Sequence, residues 1–139
     1  MKTYSLSCNW QISMPKDWNG EYNEADGQYV FFPDGSDLTI RATPFHAERD
    51  GVLAPEQVME KAYMSSIPPT AVQRDAEPYS LSGFAVKMYE NNVTMGNQML
   101  YVIYVGYYAA GELLSVSVWG TDKPQCEQAL EYLKTIKKQ

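Results

Sequence analysis

The sequence predicts an α+β fold: a single domain over residues 1–139, built on one antiparallel sheet of about six strands flanked by two or three helices. Three observations carry this. The stretch from Gln98 to Gly120 holds two apolar runs either side of Tyr108-Ala-Ala-Gly-Glu112 and reads as one long β-hairpin. The other strand-like segments are joined by turns, and the helices stay out of the strand alternation, which excludes a doubly wound parallel sheet. Helical periodicity is confined to two segments, one opening at Pro55 and one following Asp122.

Trp10, Ile12 and Met14 alternate with Gln11 and Ser13 until Pro15 stops the run, giving a first strand. Asn19 to Gly27 is polar and turn-rich and reads as loop. Gln28 to Phe32 is a second strand, ended by the turn residues Pro33-Asp-Gly-Ser36. Asp37 to Phe45 is a third, with Leu38, Ile40 and Ala42 on one face and Thr39, Arg41, Thr43 and Phe45 on the other; these three strands are expected to form a meander.

Pro55 suits a helix N-terminus, and Val58, Met59, Ala62, Tyr63 and Ile67 follow at helical spacing until Pro68-Pro69. Pro68 to Pro78 reads as an irregular connection. Tyr79 to Glu90 alternates as a fourth strand, with Asn91-Asn92 opening the connection to the hairpin. After Thr121-Asp122, the residues Cys126, Ala129, Leu130, Leu133 and Ile136 form an apolar stripe, so a second helix packs on the sheet with Lys134, Lys137 and Lys138 in its last turns.

With Ala110-Gly111 at the hairpin tip, the opposed pairs are Ala109/Glu112, Tyr108/Leu113, Tyr107/Leu114, Val105/Val116, Ile103/Val118 and Val102/Trp119. This register puts Tyr101, Ile103, Val105 and Tyr107 on one face with Leu114, Val116 and Val118, which is the expected core. The other face carries Leu100, Val102, Tyr104, Gly106, Tyr108, Leu113, Ser115, Ser117 and Trp119 and is too apolar to be left wholly in water.

At 139 residues the chain can bury a core without disulfides or a structural metal. A formal charge of −6 and a pI near 4.7 argue against nonspecific binding to nucleic acid or anionic lipid. The opening Met1 to Cys8 lacks the apolar stretch of a lipoprotein leader, and no window reaches the length of a membrane span, so a cytoplasmic protein without membrane insertion is expected.

Motifs for catalysis or metal binding are sparse. His46, beside Glu48, Arg49 and Asp50, has no nucleophile or oxyanion site nearby and reads as a surface loop residue. One histidine with the distant Cys8 and Cys126 does not make a zinc ligand set. The cysteines could pair only if the first strand met the last helix, and a cytosolic chain keeps them reduced; Cys126 reads as a small core residue. Asp34-Gly-Ser-Asp37 lacks the remaining ligands of a calcium loop and reads as a turn. No cofactor or metal is expected.

The candidate site is therefore a surface. Arg41 and Phe45, Lys87 and Tyr89, and Tyr104, Tyr108 and Trp119 all fall on the face opposite the strongest apolar rows. Tyr, Trp and Arg are the residues that most often anchor interfaces. The rival expectation is a helix of the same chain covering this face, with Gly106, Ser115 and Ser117 letting it come close.

Several local patterns resemble a known family: Trp10-Gln-Ile-Ser-Met-Pro-Lys-Asp-Trp18, Asp37-Leu-Thr-Ile-Arg41, and Ser82-Gly-Phe-Ala-Val-Lys87 followed by the long hairpin. The chain resembles the PsbP-like superfamily, in particular short bacterial members related to DcrB and to the adaptors that chaperone effectors of the type VI secretion system. The resemblance implies an antiparallel sheet flanked by helices and a non-enzymatic role, with the sheet face of the adaptors holding apolar helices of the client. The expected function is a small soluble module that holds a protein partner on its sheet face, as a secretion-effector adaptor or an immunity protein. The alternative is a stand-alone domain binding a small ligand between sheet and helix; an enzyme is the least favoured reading. The sequence leaves the oligomeric state open.

Overall fold

The computed structural model describes residues 1–46, 48–49, 52–53, 56–74, 85–109 and 111–138. Along the chain these form β1 (Lys2–Ser5), β2 (Trp10–Met14), β3 (Asn19–Asn23), β4 (Gln28–Phe32), β5 (Thr39–His46), β6 (Glu48–Arg49), β7 (Val52–Leu53), α1 (Glu56–Ser65), β8 (Val72–Arg74), β9 (Ala85–Met95), β10 (Gln98–Ala109), β11 (Glu112–Gly120), α2 (Lys123–Leu133) and β12 (Lys137–Lys138). The fold is α+β, and every described strand pair is antiparallel.

The strands form two sheets and a ribbon, where one sheet of about six strands was expected. Seven strands follow the order β3-β4-β5-β11-β10-β9-β8, three follow β1-β2-β12, and β6 pairs with β7 alone. The second sheet exists because β2 does not join β4: it is flanked by β1 and β12 and turns Trp10, Ile12 and Met14 inward, all fully buried. The meander is thus β3-β4-β5, and Asn19–Asn23, expected as loop, is its outer strand. Tyr22 lies opposite Tyr29 there with ring centroids 4.5 Å apart.

The β10–β11 hairpin has the predicted register in full, from Ala109 opposite Glu112 to Val102 opposite Trp119. Gly111 takes φ +78° at its tip, a conformation open to glycine without strain; Ala110 lies outside the described residues. Ile103, Val105, Tyr107, Leu114, Val116 and Val118 are fully buried between the large sheet, β2 and the apolar stripe of α2, with Cys126, Ala129, Leu130 and Leu133 in contact. Each such side chain contributes roughly 1.5–3 kcal/mol on leaving water, which makes this layer the main source of stability.

Other boundaries move. β9 runs through Asn91-Asn92 to Met95, because each residue from Val93 to Met95 has a partner in β10, and the turn falls instead at Gly96, φ +61°. The expected residues 79–84 of that strand, and Pro55 of the first helix, lie outside the described residues. Within the stretch read as irregular, Val72–Arg74 adds a short strand to β9. α2 stops at Leu133, so the three lysines do not share its last turns: Thr135 turns its hydroxyl back onto the Tyr132 carbonyl at 2.6 Å, and Lys137 and Lys138 pair with Gln11 and Trp10. Among the described residues no helix is long and apolar enough to cross a membrane.

Candidate functional site

The register fixes which side chains share the outer face of the large sheet. One row runs Val30, Arg41, Ser117, Tyr104, Tyr89 across β4, β5, β11, β10 and β9. The next contains Thr43, Ser115, Gly106 and Lys87, and a third Phe45, Leu113 and Tyr108. The seven residues predicted for the site all belong to these rows or to the Trp119 row beside them.

α1 divides them. Gly106 leaves a gap in the sheet surface, and the ring of Tyr63 occupies it. The Tyr63 hydroxyl donates to the Lys87 carbonyl at 3.1 Å, and burial raises its pKa. Tyr63 and Leu113 form a second small core, with Ile67, Tyr89 and Tyr108 packed against it. The Lys87 ammonium is ion-paired with Glu60 of α1. Three of the predicted residues, Lys87, Tyr89 and Tyr108, therefore dock the protein's own helix, as the rival expectation had it for the whole face.

The other four stay together beside α1, Phe45 exposed, Arg41 and Trp119 half-buried and Tyr104 buried at their base. Arg41, Phe45, Tyr104 and Trp119 line a cleft of about 210 Å³ whose remaining walls are Gln28, Thr43, Ser66, Ser115 and Ser117. The Arg41 guanidinium carbon sits 4.9 Å from the centre of the Trp119 ring, a cation–π contact. Trp119 meets Tyr104 edge-on at 6.4 Å and 75°, and its indole N–H donates to Ser117 Oγ at 2.8 Å. Burial raises the Tyr104 pKa, while Phe45 is 41% exposed and projects an apolar ring into solvent. Ser66 was not legible as a wall because its place depends on where α1 docks. Ser115 and Ser117 are visible in the sequence as small polar residues on a greasy face, a pattern that reads as room for a helix backbone; in the structure they line the cleft, and Ser117 accepts a hydrogen bond from Trp119.

Other candidates resolve differently. His46 is the last residue of β5, opposite Glu112, rather than a loop residue; its neighbour Asp50 lies outside the described residues. Asp34 accepts from Asn19 at 2.8 Å, and Asp37 accepts from the Thr121 backbone and hydroxyl, so both carboxylates of the turn tie it down. Cys8 and Cys126 are not joined. On the core side of β8 and β9, Arg74 forms a bidentate pair with Glu127 of α2 at 2.6 and 2.9 Å, and Tyr101 donates its hydroxyl between Glu90 and Glu127. This cluster fastens β8 to α2.

No family model matches the chain, and no curated protein is found related to it by sequence. Solved structures do match it. A protein from Bacteroides thetaiotaomicron superposes with a TM-score of 0.70 at 11% identity over 99% of this chain, which spans only 48% of that protein. Cyanobacterial PsbP (CyanoP) from Synechocystis gives 0.62 at 13% identity, covering 99% of this chain and 92% of the other. LpqN, involved in cell envelope biogenesis of Mycobacterium tuberculosis, gives 0.62 at 15% identity over 91% and 82%. At these identities the likeness is one of fold, and the fold is PsbP-like.

Proposed function

We propose that this protein is a binding module that holds a segment of a protein partner in the cleft between the end of α1 and strands β4, β5 and β11, without catalysing a reaction. One observation carries the reading: α1 docks on the sheet face at Gly106 and Leu113, and beside it Arg41 lies over the ring of Trp119, which meets Tyr104 edge-on, next to an exposed Phe45. Aromatic side chains with polar tips around an arginine are the composition of an interface centre. The cleft volume of about 210 Å³ is below the roughly 300–1,000 Å³ of drug-sized ligand sites, which favours a peptide segment over a small molecule. Within this reading, the resemblance of the Leu38 to Arg41 strand pattern to that of the type VI adaptors points to a secreted effector or toxin as the partner, and to the protein as its cytoplasmic adaptor or immunity protein.

The test is retention of a partner from cells that make the protein, by the wild type and by Trp119→Ala. If the cleft is the site, Trp119→Ala loses about 2 kcal/mol of affinity while still unfolding cooperatively. A partner retained equally by both overturns the reading.

A further inference from the structure

We propose that the Arg41 end of the cleft is a carboxylate subsite, so that the partner segment held there is acidic; this rests on the reading of the cleft as a partner-binding site. Among the described residues that line the cleft, Arg41 is the one that carries a charge. The other cation on this sheet face, Lys87, has its carboxylate in Glu60, whereas no described residue places a carboxylate within ion-pair distance of Arg41. The cation–π contact with Trp119 holds the guanidinium carbon 4.9 Å from the ring centre and uses none of its N–H donors on a carboxylate, so they suit a planar, acceptor-only group.

The neighbouring hydroxyls are set the same way. Ser117 lies directly opposite Arg41, and its oxygen already accepts the Trp119 indole N–H at 2.8 Å, so its own proton is free to donate. Thr43, two residues along β5, accepts from the Gln28 carboxamide at 3.4 Å and is likewise left with a proton to give. Among the described residues neither hydroxyl donates to a protein acceptor. Beside Arg41 the cleft thus presents a cation and two hydroxyl donors and, among its described lining residues, no carboxylate of its own, a setting that suits an incoming carboxylate. Tyr104, Trp119 and Phe45 give the residue beside that carboxylate an apolar surface. Although the chain carries a net charge of −6, which suggests a basic partner, the local chemistry of this cleft selects an acidic segment.

The probes are two peptides, acetyl-Leu-Glu-Phe-Glu-amide and the same peptide with Gln for Glu, titrated into the labelled full chain and followed by the Trp119 indole and Ser117 amide resonances. The Glu peptide is expected to shift both resonances and to bind about fivefold more tightly than the Gln peptide, a preference that added salt weakens. Arg41→Gln is expected to melt as the wild type does and to abolish the preference. Equal binding of the two peptides to the wild type overturns the carboxylate subsite while leaving the cleft as a docking site. Binding of neither overturns it too, and the Trp119→Ala retention experiment then decides separately on the cleft. Sodium acetate reproducing the full shifts at the same affinity marks a site for free anions and overturns the acidic-segment proposal. The peptide comparison on the unaltered protein stands even if Arg41→Gln fails to fold.

Discussion

The ring of Tyr63 lies where a Cβ on Gly106 would have to be, 2.8 Å from its Cε2 atom. Tyr63 cannot swing aside cheaply, since it is 2% exposed and its hydroxyl is tied to the Lys87 carbonyl. Gly106→Ala is therefore expected to cost about 1–3 kcal/mol by overpacking. Chemical denaturation of the variant measures this, and a double variant with Tyr63→Ala should show less than the sum of the two single losses, because both act on one contact.

Val116, fully buried opposite Val105, tests the layer on the other side of the sheet. An aspartate there buries an unpaired charge, and Val116→Asp is expected to lose roughly 3 kcal/mol or more of unfolding free energy. A loss near 0.5 kcal/mol would remove this row from the core.

The Arg74–Glu127 pair predicts a pH dependence. Hydrogen bonding from Arg74 holds the Glu127 carboxyl below its ordinary value of 4.5 despite partial burial. A carboxyl lowered in the folded state contributes stability above its unfolded value and loses it as pH falls through the folded value. At neutral pH, Glu127→Gln should be less stable by on the order of 1 kcal/mol, the pair being partly exposed. Below pH 4.5 the two proteins should converge, as urea midpoints across an acid series would show.

Thiol chemistry separates the cysteines. Cys126 is fully buried, and its thiol is pushed up to about 11, chiefly by burial. Cys8 is only half-buried, though burial and Glu112 raise its thiol as well. At pH 8 an aromatic disulfide reagent should titrate one thiol, slowly, and the second only after denaturant is added. Two rapid equivalents would place Cys126 outside the core.

The parts of this fold legible in sequence are those with an apolar period. The β10–β11 register could be read because one slip would turn Leu114, Val116 and Val118 out of the core. β3 could not, since Asn19–Asn23 is an edge strand with mostly exposed residues, and an edge facing water needs no apolar alternation. Asn91-Asn92 misled because pairing with β10 overrides local turn preference. β12 is two lysines whose strand geometry is imposed by β2, with Lys138 drawn inward to Glu112 at 3.0 Å. As for the site, composition located the face, but its division into a helix dock and an open cleft depends on Tyr63 meeting Gly106, residues far apart in the chain that carry no shared pattern.

The small sheet bears on how the chain folds in time. Its closing contact, the Ser13 backbone donating to Thr135 Oγ1 at 2.8 Å, joins residues 122 positions apart. Bringing such distant segments together is slow in entropy terms, whereas the β10–β11 hairpin closes locally and fast. The hairpin is the natural early structure and the β2–β12 seam a late one, so weakening that seam should mainly hasten unfolding and leave the rate of folding nearly unchanged.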